Sequence, residues 1–169
     1  SMVRLVGPDG NDVATGETGE LWFAGPGITP GYFQRPDETA KALVDGWLRS
    51  GELGMRDEDG YYYIVGRLKD MYISGGENVY PAEIENVLYQ LEEIREVAVI
   101  GVPDERWGET GCAVVALKEG AELDEAAILA HCRDQLARFK QPNHVVYVEE
   151  LPRNATGKVL KFELRQNIE

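Results

Sequence analysis

The chain has 169 residues, of which 43 % are apolar and 28 % charged, and a formal net charge of −13. This length suits one domain of common size or two small ones, in a globular composition. The acidity argues against nucleic acid as a partner, because phosphate neutralisation supplies most of that affinity, and the lack of any apolar run of about 18 residues argues against a membrane-spanning helix.

The opening Ser-Met-Val-Arg-Leu-Val holds no long apolar segment and no cleavage pattern, so no signal peptide is expected, and Ser1-Met2 read as a cloning remnant. Glycine and proline punctuate the first third, between short β-like runs at 3–6 and 21–24, which predicts a small antiparallel unit. Pro36 opens a short helix with Asp37 and Glu38 at its positive end. Residues 46–49 read as extended, and 61–65 as an aromatic and β-branched strand. Between them Asp57-Glu58-Asp59-Gly60 reads as a β-turn, since it lacks the ligand spacing and distal Glu of a calcium loop.

The character changes after Arg67, and a boundary is expected at Leu68–Lys69. Residues 71–74 read as a short strand ending at Gly75-Gly76. Pro81 begins a helix whose Ile84, Val87, Leu88 and Leu91 share one apolar face. A strand at 97–102 is expected to stop at Pro103, and another runs over 111–117. Asp124 caps a helix with Ile128, Leu129, Cys132 and Leu136 on its apolar side. A third strand, 145–148, and a final helix, 159–168, complete the pattern. The expected fold class is α/β (α+β): a β-rich subdomain, then a compact domain with a small three-stranded sheet, a short hairpin and covering helices. Cys112 and Cys132 have no metal or redox spacing and read as reduced core thiols of a cytoplasmic protein.

The charge is uneven. Residues 1–130 hold 10 Lys/Arg against 25 Asp/Glu, whereas 131–169 hold 7 against 5. The least acidic part contains Leu-Pro-Arg-Asn-Ala-Thr-Gly-Lys-Val-Leu-Lys, 151–161, and is where an anionic small molecule is best met. Its Gly157-Lys158 is not a Walker loop, because Val159 stands where the magnesium-binding hydroxyl belongs. What remains is a turn-rich loop presenting Lys158 at an expected helix start, where the helix dipole opposes a cation unless an anion joins it. A merely solvated lysine is the plain alternative. Three weaker signals accompany it. Glu52 sits in an expected glycine-flanked turn and has the chemistry to grip paired hydroxyls. Arg67 stands at the boundary and can fork onto a phosphate, a ribose or a carboxylate. Ser74-Gly75-Gly76-Glu77-Asn78 is a small-residue loop that lets a ligand pass closely, or simply a tight turn.

In order, GYFQRPDETAKAL, GWLRSGELGMRDEDGYYYIVGRLKDMYISGGENVYPAEIENVL, VAVIGVPDERWGE and LPRNATGKVLK resemble the C-terminal portion of the adenylate-forming superfamily. The likeness is to acyl-CoA synthetases, the fatty-acid–CoA ligases and their aryl-CoA relatives, over about Val3 to Gln166. It implies a two-step reaction. A carboxylic acid, a fatty acid being the expected one, and ATP with Mg2+ give an acyl-adenylate and pyrophosphate; the CoA thiol then gives the thioester and AMP. It implies that 1–68 is the last β-rich subdomain of a large N-terminal domain, that 69–169 is a mobile lid, and that Lys69 is the hinge. By the same resemblance Lys158 is the catalytic lysine that reaches the acid's carboxylate and the α-phosphate. Arg67 lies near the ribose and phosphates, and Asn78 contacts the nucleotide. Ser74, Gly75 and Gly76 line the passage for CoA. Glu52 stands where relatives carry the Asp of Thr-Gly-Asp that holds the ribose hydroxyls. The added methylene loosens or shifts that grip. Trp107 replaces an arginine that some relatives use for CoA.

The resemblance further implies a missing N-terminal partner domain with the phosphate loop, the adenine contacts and the acyl pocket. These residues alone are then expected to be inactive, with no tightly bound cofactor and no metal site of their own. Two other readings stay open: a non-catalytic docking module that keeps the lid fold, and an adenylating enzyme that loads a carrier-protein thiol.

Overall fold

The computed structural model describes residues 2–168. Two compact units divide between Lys69 and Asp70. The first contains β1 (Met2–Val6), β2 (Thr18–Ala24), α1 (Pro36–Ala42), β3 (Leu43–Val44), β4 (Trp47–Arg56) and β5 (Tyr62–Arg67). All its pairings are antiparallel, in the order β1-β2-β4-β3, with β5 also on β4. Leu5, Val6, Leu21, Ala24 and Leu53 are buried. The small number of apolar residues buried here, against the many in the second unit, leaves this sheet dependent on its hydrogen-bond ladder and turn chemistry.

Residues 50–52 are not a turn after a strand, as the sequence suggested, but part of β4 itself. Glu20 pairs with Leu53 and Trp22 with Arg49, so β4 carries two extra residues there. Gly51 has φ +72°, a conformation that lets the strand bulge without reversing. Glycine by itself signals either outcome; the continuing pairing with β2 on both sides decides for the bulge.

The second unit contains β6 (Tyr72–Ser74), β7 (Glu77–Val79), α2 (Pro81–Leu88), β8 (Ile94–Asp104), β9 (Gly108–Leu117), α3 (Glu125–Gln135), β10 (Pro142–Tyr147) and α4 (Lys161–Ile168). β8 and β9 pair antiparallel along their length, and β10 joins β9 in parallel. The β6-β7 hairpin meets β9 through Ser74 and Gly108. Helices cover both faces. Ile84 and Leu88 of α2 and Ile128 and Cys132 of α3 pack with Val97, Val99, Ala113 and Val115, together with Tyr72 and Val79 of the hairpin. Leu151 and Leu164 pack on the opposite face with Ala98, Ile100, Cys112 and Val114. The alternation of neighbouring residues between two cores explains why 97–100 and 112–116 are apolar throughout rather than at every second position. Truncating fully buried Ile84 or Ile100 to alanine costs about 2–5 kcal/mol.

Asp124 caps α3 as expected, accepting a hydrogen bond from the Ala127 N–H at 2.7 Å. Two expectations change. β8 continues through Pro103, which pairs with Glu109. β8 is an edge strand, where a residue lacking N–H can turn its missing donor outward. Elsewhere on that edge Val99 N–H donates to Glu85 Oε1 at 2.8 Å and Val97 N–H to the Tyr89 hydroxyl at 3.3 Å, so α2 and its C-cap satisfy donors the sheet leaves open. The last helix begins at Lys161, not at Val159, because Val159 forms an antiparallel bridge with Arg153. Both cysteines are buried and free, and burial pushes both thiols up to about 11. Among the described residues no helix is long and apolar enough to cross a membrane.

Candidate functional site

In the first unit Glu52 and Arg67 face each other as register partners on β4 and β5. Arg67 Nε lies 3.1 Å from Glu52 Oε1, with side chains 36 % and 34 % exposed. That exposure keeps the pair worth under about 1 kcal/mol and leaves both groups open to a ligand. With Ser50, Gly51, Leu68 and Lys69 they line a cleft of about 480 Å³. Ser50 fixes the local backbone: its hydroxyl donates to Leu21 O at 2.7 Å and accepts from Glu52 N–H at 3.0 Å.

Beneath the bulge lies Glu20, 7 % exposed, a residue the sequence reading passed over. Its carboxylate accepts from Gly51 N–H at 3.0 Å, Trp22 Nε1–H at 2.8 Å and the Arg49 guanidinium at 3.2–3.3 Å. A buried carboxylate is tolerated only with such partners. Here it fixes the bulge from which Glu52 projects. The available signal was an acid inside the apolar strand Gly-Glu-Leu-Trp-Phe.

In the second unit Ser74, Gly75, Gly76 and Asn78 share the β6-β7 hairpin. Ser74 is 2 % exposed. Gly75 and Gly76 have φ of +60° and +86°, and Gly75 N–H donates to Trp107 O at 2.8 Å. A Cβ at Gly75 would stand 2.7 Å from the Trp107 ring, whereas one at Gly76 would meet open space. Asn78 is exposed opposite Ile73. Asp104 Oδ1 accepts from the N–H groups of Arg106 and Trp107 at 2.9 and 2.8 Å, which sets the Trp107 turn. The Arg106 and Arg138 guanidinium carbons lie 5.3 and 6.0 Å from the Trp107 ring centroid. These residues, with Gln141 and Asn143, line a hollow of about 260 Å³. Arg138 was invisible as a partner of Trp107 because 31 residues separate them in sequence.

Lys158 stands on a separate loop and is exposed. It precedes α4 by three residues, so the helix-start argument made from sequence does not apply. The loop is a tight reversal: Gly157 N–H donates to Asn154 O at 2.9 Å, Asn154 N–H to Lys158 O at 3.0 Å, and Gly157 has φ +82°. Among the described residues no carboxylate pairs with the Lys158 ammonium. Glu52, Arg67 and Lys69 thus share one cleft, Ser74 to Asn78 one hairpin, and Lys158 has its own loop. Among the described residues no group of three or more His, Cys, Asp or Glu side chains is placed to hold a metal ion.

A mixed sheet with helices on both faces, a loop that exposes Lys158 and a glycine hairpin define a small α/β domain that presents groups at its surface. Residues 83–158 match the family model of the AMP-binding enzyme C-terminal domain. The chain is 50 % identical over 164 residues to a feruloyl-CoA synthase from an Amycolatopsis species, covering 97 % of this chain and 33 % of that protein. It is 49 % identical to a 2-succinylbenzoate–CoA ligase of Geobacillus kaustophilus, covering 95 % and 33 %, and 47 % identical to the long-chain-fatty-acid–CoA ligase FadD13 of Mycobacterium tuberculosis, covering 97 % and 32 %. Among solved structures, ATP-bound MatB from Rhodopseudomonas palustris superposes with a TM-score of 0.91 at 42 % identity, over 98 % of this chain and 33 % of that one. The chain spans about a third of the length of the curated relatives it matches. Residues 83–158 are thus similar to the AMP-binding enzyme C-terminal domain, and the relatives named above are CoA ligases.

Proposed function

We propose that this chain is the C-terminal part of an ATP-dependent acid–thiol ligase, with Lys69 as the hinge between a last β-rich subdomain, 1–68, and a lid, 69–169. In the first step a carboxylate oxygen attacks the α-phosphorus of ATP, the bond to the bridging oxygen breaks, and pyrophosphate leaves with the electron pair. Lys158 draws the two anionic reactants together and stabilises the charge that develops between them. Mg2+ arrives with ATP as part of the substrate. In the second step the CoA thiol, giving up its proton, attacks the acyl carbon, and AMP leaves as the carbon–oxygen bond breaks.

The observation that carries this reading is Lys158: exposed, without a carboxylate partner among the described residues, and held on a stapled loop within the matched family region. Glu52 and Arg67, ion-paired at 3.1 Å on the cleft wall, are assigned to the ribose hydroxyls and phosphates. Asn78 is assigned to the nucleotide. The Ser74-Gly75-Gly76 hairpin is assigned to the pantetheine passage, with Trp107, Arg106 and Arg138 beside it for the anionic end of CoA. The acid is left open, since relatives of near-equal identity are named for feruloyl, succinylbenzoate and long-chain fatty acids. An N-terminal domain supplies its pocket and the phosphate loop. The two buried thiols support a reducing, cytoplasmic setting.

The test is a panel of aromatic and fatty acids given to the full-length protein with MgATP and CoA. Acid-dependent AMP and thioester formation is expected for at least one class. Turnover only with a pantetheinylated carrier protein would move the acceptor away from free CoA. Nucleotide consumption with no acid dependence would overturn the reading.

A further inference from the structure

We infer that Asn154 is a positioning residue for Lys158, with Arg153 and Lys161 clamping the two ends of the loop; this rests on the proposed role of Lys158 in adenylation. The amide oxygen of Asn154 accepts three hydrogen bonds: from Thr156 N–H at 3.0 Å, from the Thr156 hydroxyl at 2.8 Å and from Lys158 N–H at 2.9 Å. One side-chain atom therefore holds the loop apex and the backbone of the lysine itself. Arg153 then ties the loop to the sheet, donating from Nη1 to Gly157 O at 2.6 Å and from Nη2 to Glu96 of β8. At the other end Lys161 pairs with Glu85 at 2.6 Å, and the same Glu85 oxygen accepts from Val99 N–H of β8. Leu151 and Leu164, on either side, are buried in the core against β8 and β9.

The reach of a lysine side chain is long and flexible, and among the described residues no ion pair holds the Lys158 ammonium. The entropy of placing that ammonium is limited only by how well its backbone is held. Residues 153–158 are all exposed, so no hydrophobic packing fixes them. The Asn154 oxygen and the two charged clamps do that work. A loop that lost them would still carry Lys158 but would place it over a wider volume, and small misplacements of a reacting group cost on the order of 100-fold in rate. Because the hydrogen bonds of Asn154 stay within the loop, its effect is expected in the step in which Lys158 acts.

The experiment uses the full-length enzyme and separates acid-dependent pyrophosphate release from thioester formation with a supplied acyl-adenylate. Asn154→Ala is expected to slow the first by roughly 10–100-fold, mainly in kcat, and to leave the second within about 2-fold. Asn154→Asp keeps an acceptor for all three donors and is expected to recover most of the rate. In a Lys158→Ala background, Asn154→Ala is expected to cost nothing further, because the residues act as a unit. Arg153→Gln, which loosens the same loop without touching Asn154, is expected to give a smaller loss of the same step. Additive losses, equal losses in both steps, or an Asn154→Ala enzyme with normal pyrophosphate release overturn the inference. Normal pyrophosphate release from Lys158→Ala itself overturns the underlying reading instead, so the two failures are told apart. Melting temperatures accompany each variant; if Asn154→Ala is unfolded, Arg153→Gln carries the same test.

Discussion

Two glycine-containing loops of the second unit, those of Gly75-Gly76 and of Gly157, have opposite tasks in the proposed function. On the proposed function, the Lys158 loop holds a charge out into solvent at a fixed place. It is stapled by side chains: an asparagine oxygen with three donors, and two cations tied to acids beside and on β8. On the same proposal, the Ser74–Asn78 hairpin leaves room for a ligand. It is held by its own backbone, by Gly75 N–H to Trp107 O, and by a glycine packed flat against an indole ring. Each loop also sits over its own core, the first flanked by Leu151 and Leu164 beside Cys112, the second by Tyr72 and Val79 near Cys132. Presenting a reagent calls for side-chain chemistry, whereas admitting a ligand calls for the absence of side chains.

That contrast breaks most sharply at Lys158. If the proposed function holds, Lys158→Ala in the full-length protein is expected to reduce acid-dependent pyrophosphate release by on the order of 10²–10³-fold, the cost of removing one preorganised charge-stabilising group. Steady-state pyrophosphate assays check this, and the melting temperature is expected to stay unchanged because the residue is exposed. The hairpin should respond to volume instead. Gly75→Ala places a methyl 2.7 Å from the Trp107 ring and adopts a positive φ. It is expected to destabilise the fold by about 1–3 kcal/mol and to slow thioester formation from acyl-adenylate more than adenylation. Gly76→Ala carries only the conformational cost of φ +86° in open space and is expected to lose about 1 kcal/mol. Urea midpoints of the two variants decide whether the ring contact or the backbone angle dominates.

The smallest effect at neutral pH concerns the cores below. Burial raises both thiols from 9.0 to about 11. The stability they contribute is fully present below their unfolded value and is lost as pH rises through the folded one. The unfolding midpoint is therefore expected to be insensitive to them between pH 7 and 9 and to fall from pH 9 towards about 11. Cys112→Ala and Cys132→Ala, each followed by thermal melts across that range, should each flatten part of the fall.

Sequence reading reached the elements whose signals are local. The Asp124 cap, Pro36 and Pro81 at helix starts, and the Ile84/Leu88 face follow from spacing and from donors within one turn. It failed where a distant strand decides the outcome. Gly51 becomes a bulge because β2 keeps its pairing on either side, and Pro103 stays in a strand because β8 lies on an edge. Val159 leaves the helix because Arg153 pairs with it. The same limit applies to the site. Glycine, lysine and the hairpin were visible as motif letters. Glu20 under Gly51 and Arg138 over Trp107 join residues 31 positions apart, a relation that only the folded chain creates.

The most direct test of the account is a crossover measurement on the full-length enzyme: both half-reactions, each for Lys158→Ala and for Gly75→Ala. Opposite patterns are expected, with Lys158→Ala losing pyrophosphate release and keeping thioester formation, and Gly75→Ala losing mainly thioester formation. Parallel losses in both half-reactions, or a Lys158→Ala enzyme that adenylates its acid normally, would contradict this expectation.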